Sequence, residues 1–244
     1  MVHRDFFWLH IKKAAGITTR RLLAPYYREV DRTHWPGNFV QASPDEYNDT
    51  LNNYRVVLGK YQFRRCLFAK TYLYPDTWED LISFAFAREP VDRCLSMFHY
   101  LYWKDSPGRE TLRQAFRSRF HPLRVVRAKA YAFDAFLDRI ESAHQGDSIY
   151  EPLGLHFSTH TAPMWGDVTD DQDRILIKRI YRLENLVTGL NEVFESCGLE
   201  RRLRSNTVAL NRTESRTDFS PTRSQVARIK AVYENDFGLY EKAR

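Results

Sequence analysis

The sequence predicts an α/β domain with a P-loop-like central parallel sheet flanked by helices. Apolar runs of strand length recur along the chain, and three of the four lead into helical patterns, which is typical of parallel strands joined by helices. No internal repeat or linker-like tract divides the 244 residues. Residues 1–244 are therefore predicted to form a single domain.

The individual elements follow from these apolar runs and from helical periodicity. The four predicted strands are Phe6 to Ile11, Tyr54 to Leu58, Leu81 to Ala87 and Ile175 to Tyr181. The six predicted helices are Ile17 to Val30, Val91 to Trp103, Leu112 to Phe120, Val125 to Ala143, Leu186 to Cys197 and Thr222 to Phe237. Pro90 lies where a first helical turn tolerates proline, while Gly198 and Gly238 are each predicted to follow a helix at its C′ position.

Composition and charge limit the possible partners. With 43% hydrophobic residues the chain can bury a sizeable core, and its net charge of +6 favours anionic ligands. Three cysteines without a C-x-x-C pair indicate neither zinc nor a disulfide framework, and we expect a cytoplasmic location. The first apolar run is too short to span a bilayer, which takes about 20 residues, so a soluble chain is expected. An anchor upstream of this sequence stays possible.

The connection between the first strand and the first helix has the composition of an anion site. Free backbone NH groups at a helix start, the helix dipole, hydroxyl groups and a lysine ammonium can converge on one phosphate or sulfate. The candidate ligands are Lys13, Gly16, Ile17, Thr18 and Thr19. A Walker A loop has its lysine after the glycines, whereas here the lysine comes first, which disfavours an ATPase or GTPase. The alternative is a solvated surface lysine before an ordinary helix.

A second candidate segment follows the apolar strand that ends at Ala87. Arg88 ends that strand, and Ser96 lies about two turns inside the next helix. A guanidinium offers a fork of donors to a phosphate, and a serine hydroxyl can add another. Taken alone, the pair is equally consistent with a strand-end arginine and a packed helical serine.

Together the two segments resemble the PAPS-dependent sulfotransferases, in the family 2 branch that includes the Golgi carbohydrate sulfotransferases. The first family motif reads approximately H-I-P-K-T-G-G-T-S, against His10-Ile-Lys-Lys-Ala-Ala-Gly-Ile-Thr18 here. The second reads approximately x-R-D-P-V-E-R-x-x-S, against Ala87-Arg-Glu-Pro-Val-Asp-Arg-Cys-Leu-Ser96, and is the closer match. Further similarity at 182–186, 210–213 and 233–237 extends the resemblance over most of the chain.

The resemblance implies a donor, an acceptor and roles for these residues. Lys13 and the loop through Thr19 would hold the 5′-phosphosulfate of PAPS, and Arg88 with Ser96 would hold its 3′-phosphate. Sulfuryl transfer depends on positioning and charge stabilisation, so Lys13 is expected to stabilise the leaving oxygen. The acceptor is expected to be a hydroxyl, most simply of a carbohydrate, with neither metal nor nucleic acid involved.

The first motif also departs from the family pattern. Lys12 replaces proline, Ala14 replaces threonine, Ala15 replaces glycine and Ile17 replaces a hydroxyl residue. If position 15 requires a positive φ, alanine there is strained. A degenerate member with a weakened donor site is therefore an open alternative.

The general base is less clearly indicated. Some relatives carry histidine in a G-H-x-x-F segment, where this chain has Lys60. His160 resembles the histidine of an H-x-x-P-Q segment and is the candidate base, the alternative being a histidine that is bonded in a structured loop. His156 precedes it by four residues, but Pro152, Gly154 and Pro163 favour a loop rather than a metal-binding helix.

Two other functions fit the same features. A nucleotide-dependent phosphotransferase would need an unusual P-loop, and a basic nucleic-acid or acidic-glycan binding module would carry the loop as a vestige. Arg124, Arg127 and Lys129, at the start of the predicted Val125 to Ala143 helix, are interpreted as a solvated basic face, with contact to an acidic sugar as the hypothesis beside it.

Overall fold

The structure is a computed structural model that describes residues 5–26, 58–103, 122–145, 154–200, 202–204 and 219–244. Its strands are β1 (Phe6–Leu9), β2 (Ile82–Ala87) and β3 (Arg179–Arg182). Its α-helices are α1 (Gly16–Leu23), α2 (Arg65–Phe68), α3 (Pro90–Met97), α4 (Pro122–Gln145), α5 (Gly154–Thr161), α6 (Met164–Val168), α7 (Leu186–Ser196), α8 (Arg223–Val232) and α9 (Glu234–Lys242). Short 3₁₀ helices cover Ala24–Tyr26, Gly59–Tyr61 and Leu183–Asn185, and π-helical segments follow α2 (Ala69–Leu73) and α3 (Phe98–Trp103).

The strands form a parallel sheet in the order β1-β2-β3. Phe6 pairs with Ile82 at one side of the central strand, and Ala87 pairs with Arg182 at the other. All six residues of β2 are buried, as expected for a central strand with helices on both faces. The predicted α/β fold with a central parallel sheet flanked by helices is thus confirmed.

Alternate side chains of the strands enter two separate cores. On one face Phe7, Leu9 and Ala85 pack with α2, α6 and α9. On the other face Trp8 and Phe84 pack with α1 and α7. This alternation is the period of two that a strand imposes on its side chains, and it places one core on each face of the sheet.

A third aromatic core lies beside the sheet. Phe98 from the π-helical segment packs against Phe133 and Phe136 of α4, with ring centroids 5.1 and 5.7 Å apart. All three side chains are completely buried, and Tyr233 at the end of α8 belongs to the same cluster. The cluster holds α3 and its π-helical continuation against α4.

Several strand boundaries differ from the prediction. The first strand ends two residues early because the chain turns at once, with the amide of Ile11 donating to the carbonyl of Leu9 at 3.1 Å. β3 begins at Arg179 rather than at Ile175, which instead forms an antiparallel bridge with Thr169. Apart from Leu58, the predicted strand at 54–58 lies outside the described residues, as does the predicted helix at 112–120.

The predicted C-terminal helix is wrong in one respect, since it divides at Tyr233 into α8 and α9. Gly238 consequently lies inside α9 and does not follow a helix. Gly198 does follow α7 with a φ of 74°, and Pro90 occupies the first position of α3, both as predicted. In the described ranges no helix is both long and apolar enough to cross a membrane.

Arg93 of α3 ties distant segments together. Its guanidinium is almost completely buried and donates to the carbonyl oxygen of Ala162 at 2.7 Å, while its Nη1 lies 3.4 Å from Asp236 Oδ2. Asp236 in turn accepts hydrogen bonds from the amides of Met164 and Trp165 at 2.9 and 2.8 Å. Burial raises the pKa of Asp236 to about 6 although the arginine lies beside it. This ion pair therefore joins α3, the start of α6 and α9.

Replacing Arg93 with methionine should destabilise the fold strongly, because Asp236 would keep its burial and lose its counter-charge. We expect the free energy of unfolding to fall by about 3–5 kcal/mol, measured by urea denaturation. Arg174→Met is the matched control, since this arginine pairs with Asp170 at 2.7 Å but is 71% exposed, and its loss should change the value by under about 1 kcal/mol. Equal effects of the two substitutions would contradict the role of the buried pair.

Candidate active site

The loop between β1 and α1, residues 10–15, is held through its carbonyl oxygens. Three arginine side chains donate to three of them. The bonds run from Arg65 Nη1 to His10 O (3.1 Å), from Arg93 Nε to Lys12 O (3.1 Å) and from Arg88 Nη1 to Lys13 O (3.0 Å). These bonds use three carbonyl oxygens of the loop and fix its backbone from three different elements of the fold.

The backbone of this loop is folded in an unusual conformation. Lys13 and Ala15 have φ values of 66° and 57°, in the left-handed region that costs a non-glycine residue about 1–2 kcal/mol. The backbone strain that a positive φ would impose on Ala15 is thus present. The first hydrogen bond of α1 runs from Thr19 N to Ala15 O at 3.0 Å, so the amides of Gly16 and Ile17 precede the helical ladder. Left-handed residues before a helix start form a concave, NH-lined surface suited to an anion.

Gly16 is required by its neighbour His10. The imidazole of His10 stacks on Trp8 with centroids 5.2 Å apart, and a Cβ at position 16 would lie 1.7 Å from its Nε2. Burial and the charges of Lys12 and Arg65 lower the pKa of His10 well below its ordinary value. A neutral histidine therefore lies against the start of α1.

Three buried polar atoms around the loop have no hydrogen-bond partner within the described residues. They are His10 Nδ1, Thr19 Oγ1 and Arg88 Nε. An unsatisfied buried polar group costs about 1–3 kcal/mol, so three of them around one loop indicate a place where a ligand belongs. A guanidinium N–H, a hydroxyl and helix-start amides are donors, which fits a phosphate or sulfate group.

Lys13 and His160, the two residues predicted to be catalytic, meet at one aromatic ring. The Nζ of Lys13 lies 4.0 Å from the centroid of Tyr100, and the imidazole of His160 lies 5.1 Å from the same centroid. Lys13 is half-buried, which lowers its pKa to about 8, and no ion pair with a carboxylate joins it in the described parts of the chain. Burial and the cation–π contact exclude the reading of Lys13 as a solvated surface lysine.

The hydrogen bond of His160 determines its tautomer. Its Nδ1 lies 2.8 Å from the carbonyl oxygen of His156, which can only accept, so Nδ1 carries the proton. Burial, with smaller contributions from the nearby charges of Lys12 and Lys13, lowers the pKa of His160 to about 3. The ring is therefore neutral near pH 7, with a lone pair on Nε2 that can accept a proton.

The sequence profile described as the sulfotransferase family matches residues 2–243. The chain belongs to the sulfotransferase family. Comparison with curated proteins and with solved structures gives no match. The profile covers nearly the whole chain and supports sulfuryl transfer as the activity of this sulfotransferase.

The segment that carries the two histidines corrects one expectation. His156 and His160 lie on α5 rather than in a loop, with ring centroids 4.4 Å apart. Gly154, with a φ of 75°, is the first residue of the helix, and Pro163 follows it, so these residues bound the helix instead of preventing it. Among the residues that the structure describes, no group of three or more His, Cys, Asp or Glu side chains could hold a metal ion.

The other predicted residues have diverse surroundings. Thr18 and Thr19 are buried in α1, whereas Ile17 is 60% exposed. Ser96 is half-buried in α3, two turns beyond Arg88. Lys60 is exposed on a 3₁₀ helix, with its ammonium 5.0 Å from the ring of Tyr61.

The prediction of a solvated basic face at the start of α4 is wrong for Lys129. Lys129 is 5% exposed, and its ammonium lies 5.6 Å from the ring centroid of Trp103, so it does not belong to a solvated face. The side chains of Arg124 and Arg127 lie outside the described residues.

Substituting Gly16 should reveal its contact with His10. Gly16→Ala would overpack the site, and we expect it to lower the free energy of unfolding by about 1–3 kcal/mol. In a His10→Ala background the same substitution should cost at least about 1 kcal/mol less, because the clashing ring is gone. Gly238→Ala is the control, since nothing lies within 4 Å of its Cβ position in α9. Identical costs of Gly16→Ala in both backgrounds would refute the contact.

Proposed function

We propose that this sulfotransferase transfers the sulfuryl group of PAPS to a hydroxyl of a carbohydrate. The observation that carries the proposal is the meeting of a half-buried ammonium and a neutral imidazole beside a loop with unpartnered buried donors. The resemblance of the 88–96 segment to the carbohydrate branch supports the acceptor class.

The residues fit a donor that bears phosphate at two positions. Lys13, the amides of Gly16 and Ile17, and the hydroxyls of Thr18 and Thr19 would hold the 5′-phosphosulfate. Arg88 would hold the 3′-phosphate together with Ser96. Because Arg88 also donates to the carbonyl oxygen of Lys13, it connects the two ends of this donor site.

PAPS, when bound, supplies the sulfuryl group, and the 5′-phosphate to which that group is attached is the leaving group. Lys13 provides the positive charge that stabilises the leaving oxygen, and its partial burial strengthens that interaction because less water screens it. The helix-start amides contribute fixed dipoles of the same sign. The protein thus supplies position and charge rather than covalent chemistry.

His160 is assigned as the base for the acceptor hydroxyl. Its Nδ1–H is held by the carbonyl oxygen of His156, so Nε2 receives the proton as the acceptor oxygen bonds to sulfur. Burial is the main cause of its lowered pKa in the free protein, and the charges of Lys12 and Lys13 add to the lowering. An anion that neutralises these charges raises it, so His160 becomes the stronger base when the donor is in place.

Removing the ammonium of Lys13 should abolish most of the activity. Lys13→Met keeps the length of the side chain, and we expect kcat to fall by about 100-fold or more, the usual effect of losing one transition-state donor. Transfer of labelled sulfate from PAPS to unsulfated glycosaminoglycans measures it. Lys60→Met is the matched control, because this lysine also lies against a tyrosine ring but is exposed. Turnover at the wild-type rate in Lys13→Met would overturn the assignment.

The role of Arg88 can be tested by binding alone. Calorimetry with adenosine 3′,5′-bisphosphate and with adenosine 5′-monophosphate measures what the 3′-phosphate contributes. We expect Arg88→Met to weaken binding of the bisphosphate by about tenfold or more beyond any loss for the monophosphate, since a charged hydrogen bond contributes about 1.5–3 kcal/mol. Equal losses of affinity for both ligands would show that Arg88 does not bind the 3′-phosphate. Binding that ignores the adenosine and falls steeply with salt would instead support a basic binding module.

Binding of the bisphosphate should be linked to proton uptake. The pKa of Lys13 is lowered to about 8 in the free protein, and a bound anion raises it. At a pH near 8 the free lysine is half neutral, so binding should take up roughly half a proton, and affinity should decrease as the pH rises through 8. Calorimetry in buffers of different ionisation enthalpy measures the uptake. Lys13→Arg, which stays charged, should remove it, and an uptake that persists in this variant would contradict the linkage.

A further inference from the structure

Tyr100 is an exposed aromatic ring in the middle of the candidate site. It is 42% exposed, whereas Phe98, two residues earlier, is completely buried. Both lie in the π-helical segment after α3. A π-helical turn holds an additional residue, and such turns are frequent at functional sites. The irregular turn thus presents one ring of an otherwise packed aromatic helix to solvent.

In the free protein this ring is covered by Lys13. The ammonium lies 4.0 Å from the ring centroid, within the range of a cation–π contact. A charge-assisted hydrogen bond to an anion is stronger than a cation–π contact at a partly exposed ring. A phosphate or sulfate bound at the loop is therefore the stronger partner, and it draws the ammonium off the ring.

The uncovered ring lies beside the base of the proposed reaction. The imidazole of His160 is 5.1 Å from Tyr100 and tilted by 34°, and His156 meets the ring edge-on at 5.8 Å. In the described residues the hydroxyl of Tyr100 has no hydrogen-bond partner. A flat molecule stacked on this ring would bring its own hydroxyl groups within reach of the imidazole.

We propose that the face of Tyr100 is the acceptor site, that it binds a sugar ring by stacking, and that Lys13 covers it until the donor anion is bound. The inference rests on the proposed function and deepens it. One face of a pyranose is lined with C–H groups and packs on an aromatic ring, while its hydroxyls remain at the edge. Donor and acceptor then bind in that order, because the acceptor takes the place on the ring that Lys13 leaves when the donor anion binds.

The experiment places 3-fluorotyrosine at position 100 and follows its single fluorine resonance. Adenosine 3′,5′-bisphosphate should move the resonance to the position that it has in Lys13→Met, where no ammonium covers the ring. Unsulfated chondroitin and heparosan tetrasaccharides should then shift it further, and only while the bisphosphate is bound. Calorimetry on the same samples measures both affinities.

Variants separate a stacking role from a structural one. Tyr100→Leu should weaken tetrasaccharide binding by about tenfold, which corresponds to about 1.4 kcal/mol, and leave bisphosphate affinity undiminished. Tyr100→Phe should retain tetrasaccharide binding. The control is Tyr131→Leu, since Tyr131 is 79% exposed on α4.

The outcomes distinguish the two proposals. Failure of the bisphosphate to bind would refute the proposed function. If the bisphosphate binds but the resonance stays in place, or if no tetrasaccharide binds, the inference about Tyr100 is refuted and the donor site stands. Tetrasaccharide binding without the bisphosphate would refute the order of binding.

Discussion

The site depends on buried arginines that bond the backbone of one loop. Arg65 and Arg93 are each about 1% exposed, and each pairs with a carboxylate that is also buried, Asp167 at 2% and Asp236 at 0% exposure. Breaking such a pair leaves a charge without compensation, so the arginines are confined to the positions from which they reach the loop. Their donors bond the carbonyl oxygens of His10 and Lys12 and so hold the backbone that carries Lys13. The backbone of the proposed anion site is thus fixed by interactions outside it.

The site combines a concentration of positive charge with neutral imidazole rings. Cationic groups gather around the loop, and the histidines among them stay neutral because burial and these charges both lower their pKa. The proposed donor site and the proposed base, a neutral histidine, can therefore coexist at one aromatic ring. The same charges couple the two, since an anion that neutralises the first makes the second more basic. Sulfuryl transfer needs both properties, and a single cluster of residues supplies them.

Much of this arrangement could be predicted from the sequence, for identifiable reasons. The strands β1 and β2 and the helix starts at Gly16 and Pro90 are local features, encoded in apolar runs, a glycine and a proline. The residues of the two motifs follow these strands directly, and parallel neighbours bring their carboxyl ends together. The family resemblance implies that Lys13 and Arg88 hold two ends of one donor, and the structure joins them through a hydrogen bond.

The features that were not predicted depend on contacts between distant segments. Arg93 belongs to the second motif, but its importance comes from Asp236, 143 positions later. The sequence predicts a loop at His156 and His160 because glycine and proline flank them, but Gly154 and Pro163 mark the bounds of α5. Tyr100 could not be identified from the sequence, because regular helical periodicity does not distinguish it from the buried aromatic residues around it.

The π-helical segment after α3 has a consequence for comparing this chain with its relatives. Each residue of a regular helix turns by about 100°, so one additional residue in a turn rotates every later side chain by that amount. An alignment that continues the periodicity of α3 past Met97 would assign the position of Tyr100 to the wrong face. Relatives that lack the irregular turn would direct a different side chain to the same place. If Tyr100 binds the acceptor as we propose, acceptor preference would then diverge through the helix geometry alone, with the 10–18 and 87–96 segments unchanged.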